Sequence, residues 1–330
     1  MRVGPPLSEL EKFAPGPNYK PDFTEFWRST LNTYLADDVR AKLVEINSPI
    51  TAFETYDVTV PGYNSDPIKG WFIKPKQQNG AISNQGMPCV IMYDGYGGGR
   101  GLLNEWLFWP SAGFAILVMD TRGQGASGWR VGDTPDGNYP RASQTPGFMT
   151  AGILNRDDYY YRRVFTDAVA FIQAASKMDG IDPTRLITAG GSQGGGIALA
   201  ATSLSDQVFA TMPDVPFLCH FEHAVNVTDS FPYQEIVQYC KTHRMDVEQV
   251  FETLSYFDCM NLVTRATAPA LISVGLHDPI CPPETIFAMI NNYAGQKTVK
   301  TWAYNSHEGG SVQHQLLQAE WISKLIAEAN

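Results

Sequence analysis

Ser192 lies in Gly190-Gly191-Ser192-Gln193-Gly194, a Gly-x-Ser-x-Gly stretch that follows a short apolar run and precedes an amphipathic one, Ile197 to Leu204. That order reads as a strand, a sharp turn and a helix. Glycines on both sides of the serine leave room where strand and helix nearly collide, and they permit a strained backbone that lifts the hydroxyl above a sheet. The helix start adds free N–H groups and partial positive charge where negative charge would build up. The chemistry suited to such a turn is attack by an alcohol oxygen on an acyl carbon. A serine hydroxyl is too weakly acidic to do this unaided. It needs a base within hydrogen-bond reach and a carboxylate that orients the base.

Candidates for both follow later in the chain. The apolar run from Pro269 to Leu276 ends in His277-Asp278, and the strand-like Thr298–Tyr304 leads into Asn305-Ser306-His307-Glu308. Asp278 and His307 thus each stand just past a strand, where open α/β sheets carry their sites. The order serine, acid, histidine is that of the α/β-hydrolase fold. Competing residues fit less well. His277 adjoins the acid and would point away if Asp278 points in, His314 falls within the last helical stretch, and His220 and His223 fall in the helical stretch 216–260. Glu308 is an alternative acid, but it adjoins the histidine it would have to orient. Two backbone N–H groups are needed for an oxyanion hole. One is expected from Gln193, and the other from the glycine-rich loop Tyr93-Asp94-Gly95-Tyr96-Gly97-Gly98-Gly99, with Tyr96 the best donor and its ring available to line an acyl pocket.

The elements that must position these groups follow from the hydrophobic pattern. Phe23, Phe26, Trp27, Leu31 and Leu35 share one face of an early helix. Residues 41–76 alternate as antiparallel strands, with 55–60 and 68–73 separated by a Pro/Gly/Asn turn. Residues 77–87 read as a polar loop. From Pro88 onward, short apolar runs alternate with helices, the pattern of a parallel sheet. Strands are expected near 88–93, 113–119, 185–190, 208–213, 269–275 and 298–304, and helices near 157–177, 192–205, 283–294 and 310–328. The result is an α/β fold with a mostly parallel central sheet flanked by helices, in a single domain over 1–330. Residues 216–260 read as a helical cap inserted between two strands. Residues 121–156 form a long Gly/Pro/Asp-rich connection of the kind that is functional or contacts a partner.

The composition narrows the partners. With 330 residues, 44% hydrophobic and 18% charged, the chain is of ordinary globular type. A formal net charge of −10 argues against nucleic acid or an anionic membrane as the main partner. The amino terminus has no apolar signal core, and no run approaches ~18 apolar residues, so neither export nor a transmembrane helix is expected. Cys89, Cys219, Cys240, Cys259 and Cys281 are scattered and odd in number, which suggests reduced thiols in a cytoplasmic protein. No metal-ligand cluster or cofactor is expected. Gly123-Gln124-Gly125-Ala126-Ser127-Gly128 matches a dinucleotide-binding GxGxxG, but loop-forming residues follow it where a helix should start. Asn226-Val227-Thr228 is set aside as a chance sequon.

Taken together, the chain resembles carbohydrate esterase family seven, the acetyl xylan esterases and cephalosporin C deacetylases. That family's RGQ, GxSQG and HE motifs stand here as Arg122-Gly123-Gln124, Gly190–Gly194 and His307-Glu308. Further likeness lies in Asp22-Phe23 with Phe26-Trp27, Tyr159–Arg163, Val215–His220 and Cys281-Pro282-Pro283, so it spans nearly the whole chain. The resemblance implies Ser192 as nucleophile, Asp278 as acid, His307 as base, Tyr96 and Gln193 as oxyanion donors, and Pro232 in a small acyl pocket. It implies that Arg122 and Gln124 are structural. It also implies a cytoplasmic homohexamer that removes acetyl groups from xylo-oligosaccharides and related short-chain esters, cephalosporin C among them, through an acyl-enzyme. Two departures stand out: Asp94 replaces the family's usual histidine in His-Gly-Tyr, and Glu222-His223 replaces residues that are often basic. The alternatives are a peptidase of the prolyl oligopeptidase kind, whose usual propeller domain 330 residues cannot accommodate, and a hydrolase fold that binds without catalysis.

Overall fold

Runs rich in β-branched and aromatic residues form the strands, and period-3.6 runs pack on both faces of the sheet they build. The computed structural model describes residues 4–76, 86–126, 129–137 and 145–329. Most of the expected polar loop, the Ser127-Gly128 end of the glycine motif and part of the long 121–156 connection lie outside the described residues. In chain order the elements are α1 (Leu7–Leu10), α2 (Phe23–Tyr34), β1 (Lys42–Glu45), β2 (Phe53–Pro61), β3 (Pro67–Pro75), β4 (Met87–Tyr93), α3 (Phe108–Ser111), β5 (Ala115–Met119), α4 (Tyr160–Ala175), β6 (Ile181–Gly191) and α5 (Gln193–Ser203). They continue as β7 (Val208–Asp214), α6 (Phe221–Val227), α7 (Tyr233–Thr242), α8 (Val247–Ser255), α9 (Cys259–Leu262), β8 (Ala270–Gly275), α10 (Pro283–Asn292), β9 (Lys297–Trp302) and α11 (Ser311–Glu328).

Among the described residues the sheet has nine strands in the order β1-β2-β3-β5-β4-β6-β7-β8-β9. The pairings β1–β2, β2–β3 and β3–β5 are antiparallel, and every pairing from β5 through β4 to β9 is parallel. This is the α/β-hydrolase architecture, with an antiparallel lead-in on one side. The central strands send alternate residues to two cores. Cys89, Ile91, Leu117 and Met119 join Trp27, Phe165 and Phe257 on one face, and Val90, Ile116 and Val118 join Trp106, Trp109 and Ile322 on the other. Burial on both faces explains the continuous apolar runs of β5 and β8. Phe23, Phe26 and Trp27 of α2 face the first core, where the Trp27 indole also donates to Tyr256 O at 2.9 Å.

The expected strands and helices all form, with two local differences. β6 starts at Ile181, ahead of the anticipated 185, because Ile181 pairs with Met87 across a register shift that Asp182-Pro183-Thr184 hides in the sequence. The four-residue helices α1 and α3 were not anticipated, since they are too short to show a period. The β7–β8 connection carries α6 to α9 as a helical insertion. The segment 129–137 contains no helix, so the described part of the glycine motif lacks the helix a dinucleotide fold requires.

Candidate active site

Ser192 joins the buried strand β6 to α5, all of whose residues are buried. Its backbone stands at φ 54°, ψ −119°, a strained conformation for a non-glycine residue. Neighbouring bonds hold it there. Ser192 N donates to Asp214 O at 2.9 Å, and Ser192 O accepts from Phe217 N at 2.9 Å and Gly196 N at 3.1 Å. The helix passes so close to β4 that a Cβ at Gly194 would sit 2.1 Å from Tyr93 O, so glycine is required there.

Asp278 follows β8 and is fully buried. Its Oδ1 accepts from Ile280 N at 2.8 Å and Cys281 N at 2.9 Å, and its Oδ2 lies 2.8 Å from His307 Nδ1. The carboxylate is therefore fixed by backbone donors and turned toward the imidazole. With Nδ1 engaged by Asp278, Nε2 is the ring nitrogen left for a reacting group. His307 is partly exposed and borders the same cavity as Ser192. The Ser192 side chain also interacts with the Cys281 thiol, which burial holds well above its ordinary pKa. Asp278, Cys281 and His307 bring donor atoms within 4.8 Å of one another, as a metal site would. Here the Asp278 oxygens are already engaged by His307 and two N–H groups, and a thiol kept protonated by burial is a poor metal ligand.

The competing residues are placed elsewhere. Glu308 accepts from Asn305 Nδ2 at 2.9 Å and from Ser306 N, so it orients its own turn rather than His307. His277 packs near Tyr304, and His220 and His223 stack on each other beside Phe13. His314 is buried in α11 with Nε2 2.8 Å from Asp214 Oδ1.

Tyr96 and Gln193 come from the loop after β4 and the first position of α5. Among the described residues neither backbone N–H has a protein acceptor, as an oxyanion site requires. Their side chains do the positioning. Buried Gln193 donates to Asp94 O at 3.3 Å and accepts from Tyr161 Oη at 2.9 Å. Gln124, buried beside it, accepts from Gly97 N at 2.6 Å and exchanges bonds with the Gln193 amide. Arg122, also fully buried, grips Asp167 through two bonds of 2.6 and 2.8 Å and reaches Asp66 at 2.9 Å, while its carbonyl accepts from Tyr160 Oη. The RGQ stretch thus anchors the loop that carries Tyr96.

The cavity that Ser192 borders has a volume of about 750 Å³. One part is lined from the helical insertion and nearby loops by Tyr96, Pro146, Phe231, Pro232, Glu235 and Ile280. Sequence reasoning missed Glu235, which has no motif around it. Its Oε1 accepts from Tyr96 Oη at 2.6 Å and its Oε2 from Met149 N at 3.1 Å, and burial raises its pKa. The Asp94 carboxyl, 4% exposed, is pushed up to about 6 by burial, against the pull of Arg130 bonded to it at 2.7 Å.

A family model described as acetyl xylan esterase (AXE1) matches residues 2–325. The fold is similar to a solved acetyl xylan esterase from Paenibacillus sp. R4, with 36% identity, a TM-score of 0.85 and coverage of 97% of this chain and 99% of that one. It is also similar to acetyl xylan esterase 1 from Thermoanaerobacterium sp. JW/SL YS485, at 28% identity and TM-score 0.86, covering 98% and 99% of the two chains. Acetyl esterase Axe7A from Xylanibacter ruminicola is 24% identical over 335 residues, covering 99% of this chain and 71% of the relative.

Proposed function

The chain belongs to the acetyl xylan esterase family and is a carboxylic ester hydrolase, and from that premise we propose that it deacetylates acetylated xylo-oligosaccharides through an acyl-enzyme on Ser192. His307 Nε2 takes the Ser192 proton as the oxygen attacks the acetyl carbonyl, while Asp278 holds the ring and stabilises the imidazolium. The backbone N–H groups of Tyr96 and Gln193 receive the oxyanion. His307 then gives its proton to the departing sugar hydroxyl, and water repeats the steps on the acetyl-enzyme. Tyr96 and Pro232 bound the space for the acyl group, and the related ester of cephalosporin C is a further substrate in this reading. We extend the proposal to a homohexamer in the cytoplasm.

The observation that carries the reading is the 2.8 Å Asp278–His307 contact beside a serine held at positive φ, with His307 and Ser192 on one cavity. Ser192→Ala tests it. The variant should keep the far-ultraviolet circular dichroism of the wild type and lose hydrolysis of p-nitrophenyl acetate by about four orders of magnitude or more, as triad deletions do. Labelling by a fluorophosphonate should disappear with it. Retained activity or labelling would remove Ser192 from the mechanism.

A further inference from the structure

An acetyl group fills a small fraction of a 750 Å³ cavity, so most of that space belongs to something else. A second part of its lining comes from the 105–109 and 129–130 segments and from α11, the helix that follows His307 directly. The leaving alcohol carries the rest of the substrate, so it takes the space that the acetyl group leaves.

Three features of the cavity lining match a sugar. First, the Trp129 indole is 53% exposed and borders the cavity. It rests on the loop that carries Tyr96, so closely that a Cβ at Gly98 would lie 2.5 Å from the ring. Second, Arg130 stands beside it, its guanidinium 4.8 Å from the Trp129 ring and 4.3 Å from Trp106. Nη1 donates to Asp94 Oδ1 and Nε to Glu105 Oε2, both at 2.7 Å. Among the described residues Arg130 Nη2 has no acceptor, and the buried Asp94 Oδ2 has no donor. A fixed ion pair with an unused donor and an unused acceptor, next to a flat indole, suits a pyranose, whose C–H face packs on the ring and whose neighbouring hydroxyls both donate and accept. Third, the cavity is acidic: Asp94, Glu105, Asp214, Glu235 and Glu308 border it, against Arg130 as the one Lys or Arg among the described lining residues. Such a field opposes a leaving group that carries a carboxylate.

The geometry points to a subsite, built from Trp129 and the Asp94–Arg130 pair, that binds the sugar of the leaving alcohol and favours neutral pyranosyl esters over anionic ones. The subsite rests on the esterase reading above and adds to it the chemistry of the alcohol. Neither Asp94 nor Trp129 touches the proton relay, so the effect is on binding of the leaving group.

Two measurements test this. The first compares acetylated xylotriose with p-nitrophenyl acetate. Trp129→Ala should lower kcat/KM for the trisaccharide at least tenfold more than for the aryl ester, mainly through KM, and Trp129→Phe should recover most of the difference. An equal loss on both esters would mean that the indole only supports the Tyr96 loop, and would overturn the subsite. On the wild type, kcat/KM for acetylated xylotriose should exceed that for cephalosporin C at least tenfold, and the reverse order would overturn the charge argument. The second measurement needs no turnover: xylotriose is titrated calorimetrically into Ser192→Ala protein, with and without Trp129→Ala. Binding should weaken at least tenfold in the double variant. Absent or unchanged binding sinks the proposal, as does a change in molar mass on light scattering with sugar binding unmoved, which would assign the indole to contact between copies. Trp129-dependent binding in a protein that hydrolyses neither ester would uphold the subsite and reject the esterase reading.

Discussion

Gln124 and Gln193 exchange two amide hydrogen bonds, Gln124 Nε2 to Gln193 Oε1 at 2.9 Å and Gln193 Nε2 to Gln124 Oε1 at 3.1 Å. Neither amide reaches the cavity, yet between them they hold both ends of the proposed oxyanion site. Gln124 takes Gly97 N–H, next to Tyr96, and Gln193 supplies the second backbone donor and bonds Asp94 O. A pair of buried amides with every strong group matched is costly to disturb from either side.

Gln124→Leu removes the acceptor that Gly97 N–H uses and leaves part of the Gln193 amide unmatched in a dry site. Each unsatisfied group costs about 1–3 kcal/mol, and the Tyr96 loop can relieve this only by shifting. The expected result is a fall of about 10–100-fold in kcat for p-nitrophenyl acetate with KM little changed, since a displaced oxyanion donor acts in the transition state. Steady-state kinetics on the two constants checks it, and a pure KM effect would remove Gln124 from this role.

Arg122 concerns stability rather than chemistry. Its guanidinium is fully buried on Asp167, with Asp66 and Asp136 also in reach. Arg122→Met strands a buried carboxylate, so unfolding free energy in urea should drop by about 3–5 kcal/mol. The folded fraction should keep a kcat of the wild-type order. A large kcat loss at unchanged stability would mean that the arginine acts on the reaction.

Glu235 holds the Tyr96 hydroxyl at 2.6 Å and so fixes a ring that borders the acyl side of the cavity. In Glu235→Ala the hydroxyl keeps only its backbone donors Gly147 N and Phe148 N, and the ring gains freedom to move aside. Burial of a methylene is worth about 0.8 kcal/mol, so admitting the two extra methylenes of a butyryl group should raise the butyrate-to-acetate ratio of kcat/KM about tenfold. A series of p-nitrophenyl esters reads this ratio. An unchanged ratio would show that the Tyr96–Glu235 bond does not limit acyl length.

These outcomes also mark where the sequence was readable. The positions of Ser192, Asp278 and His307 just past strands were legible, because the apolar runs of β6 and β8 and the alternating β9 mark strand ends from local pattern alone. Burial of β4 and β5 on both faces shows in their unbroken apolar runs in the same way. The Gln124–Gln193 exchange joins residues 69 apart, and the Tyr96–Glu235 bond joins residues 139 apart. No local period encodes such a pairing, and Glu235 looks like any polar residue in the first turn of a helix. The RGQ stretch could be named as structural, but what it anchors became visible only when the loop after β4 and the start of α5 were brought together. Asp94 was noticeable only as a departure. Its pairing with Arg130 depends on how the chain returns after β5.

That departure leads to a pH dependence. An Asp carboxyl in an unfolded chain titrates near 3.8, and burial lifts Asp94 to about 6 even with Arg130 beside it. Between those values the folded protein binds the extra proton, so the Asp94 contribution to stability is fully present below about pH 4 and is lost as pH rises through about 6. At neutral pH the ionised carboxylate, buried with Oδ2 unmatched and Glu105 nearby, costs on the order of 2–3 kcal/mol relative to its neutral form. Asparagine has nearly the same shape and cannot ionise. Asp94→Asn should therefore match or fall below the wild type in Tm near pH 4 and gain on it as pH rises, with most of the change between about pH 4 and 6 and a plateau by about pH 7. Thermal unfolding of both proteins across that range isolates the difference from all other titrating groups. A Tm difference that stays flat, or that moves against the variant as pH rises, would mean that Arg130 stabilises the Asp94 carboxylate by more than burial costs it.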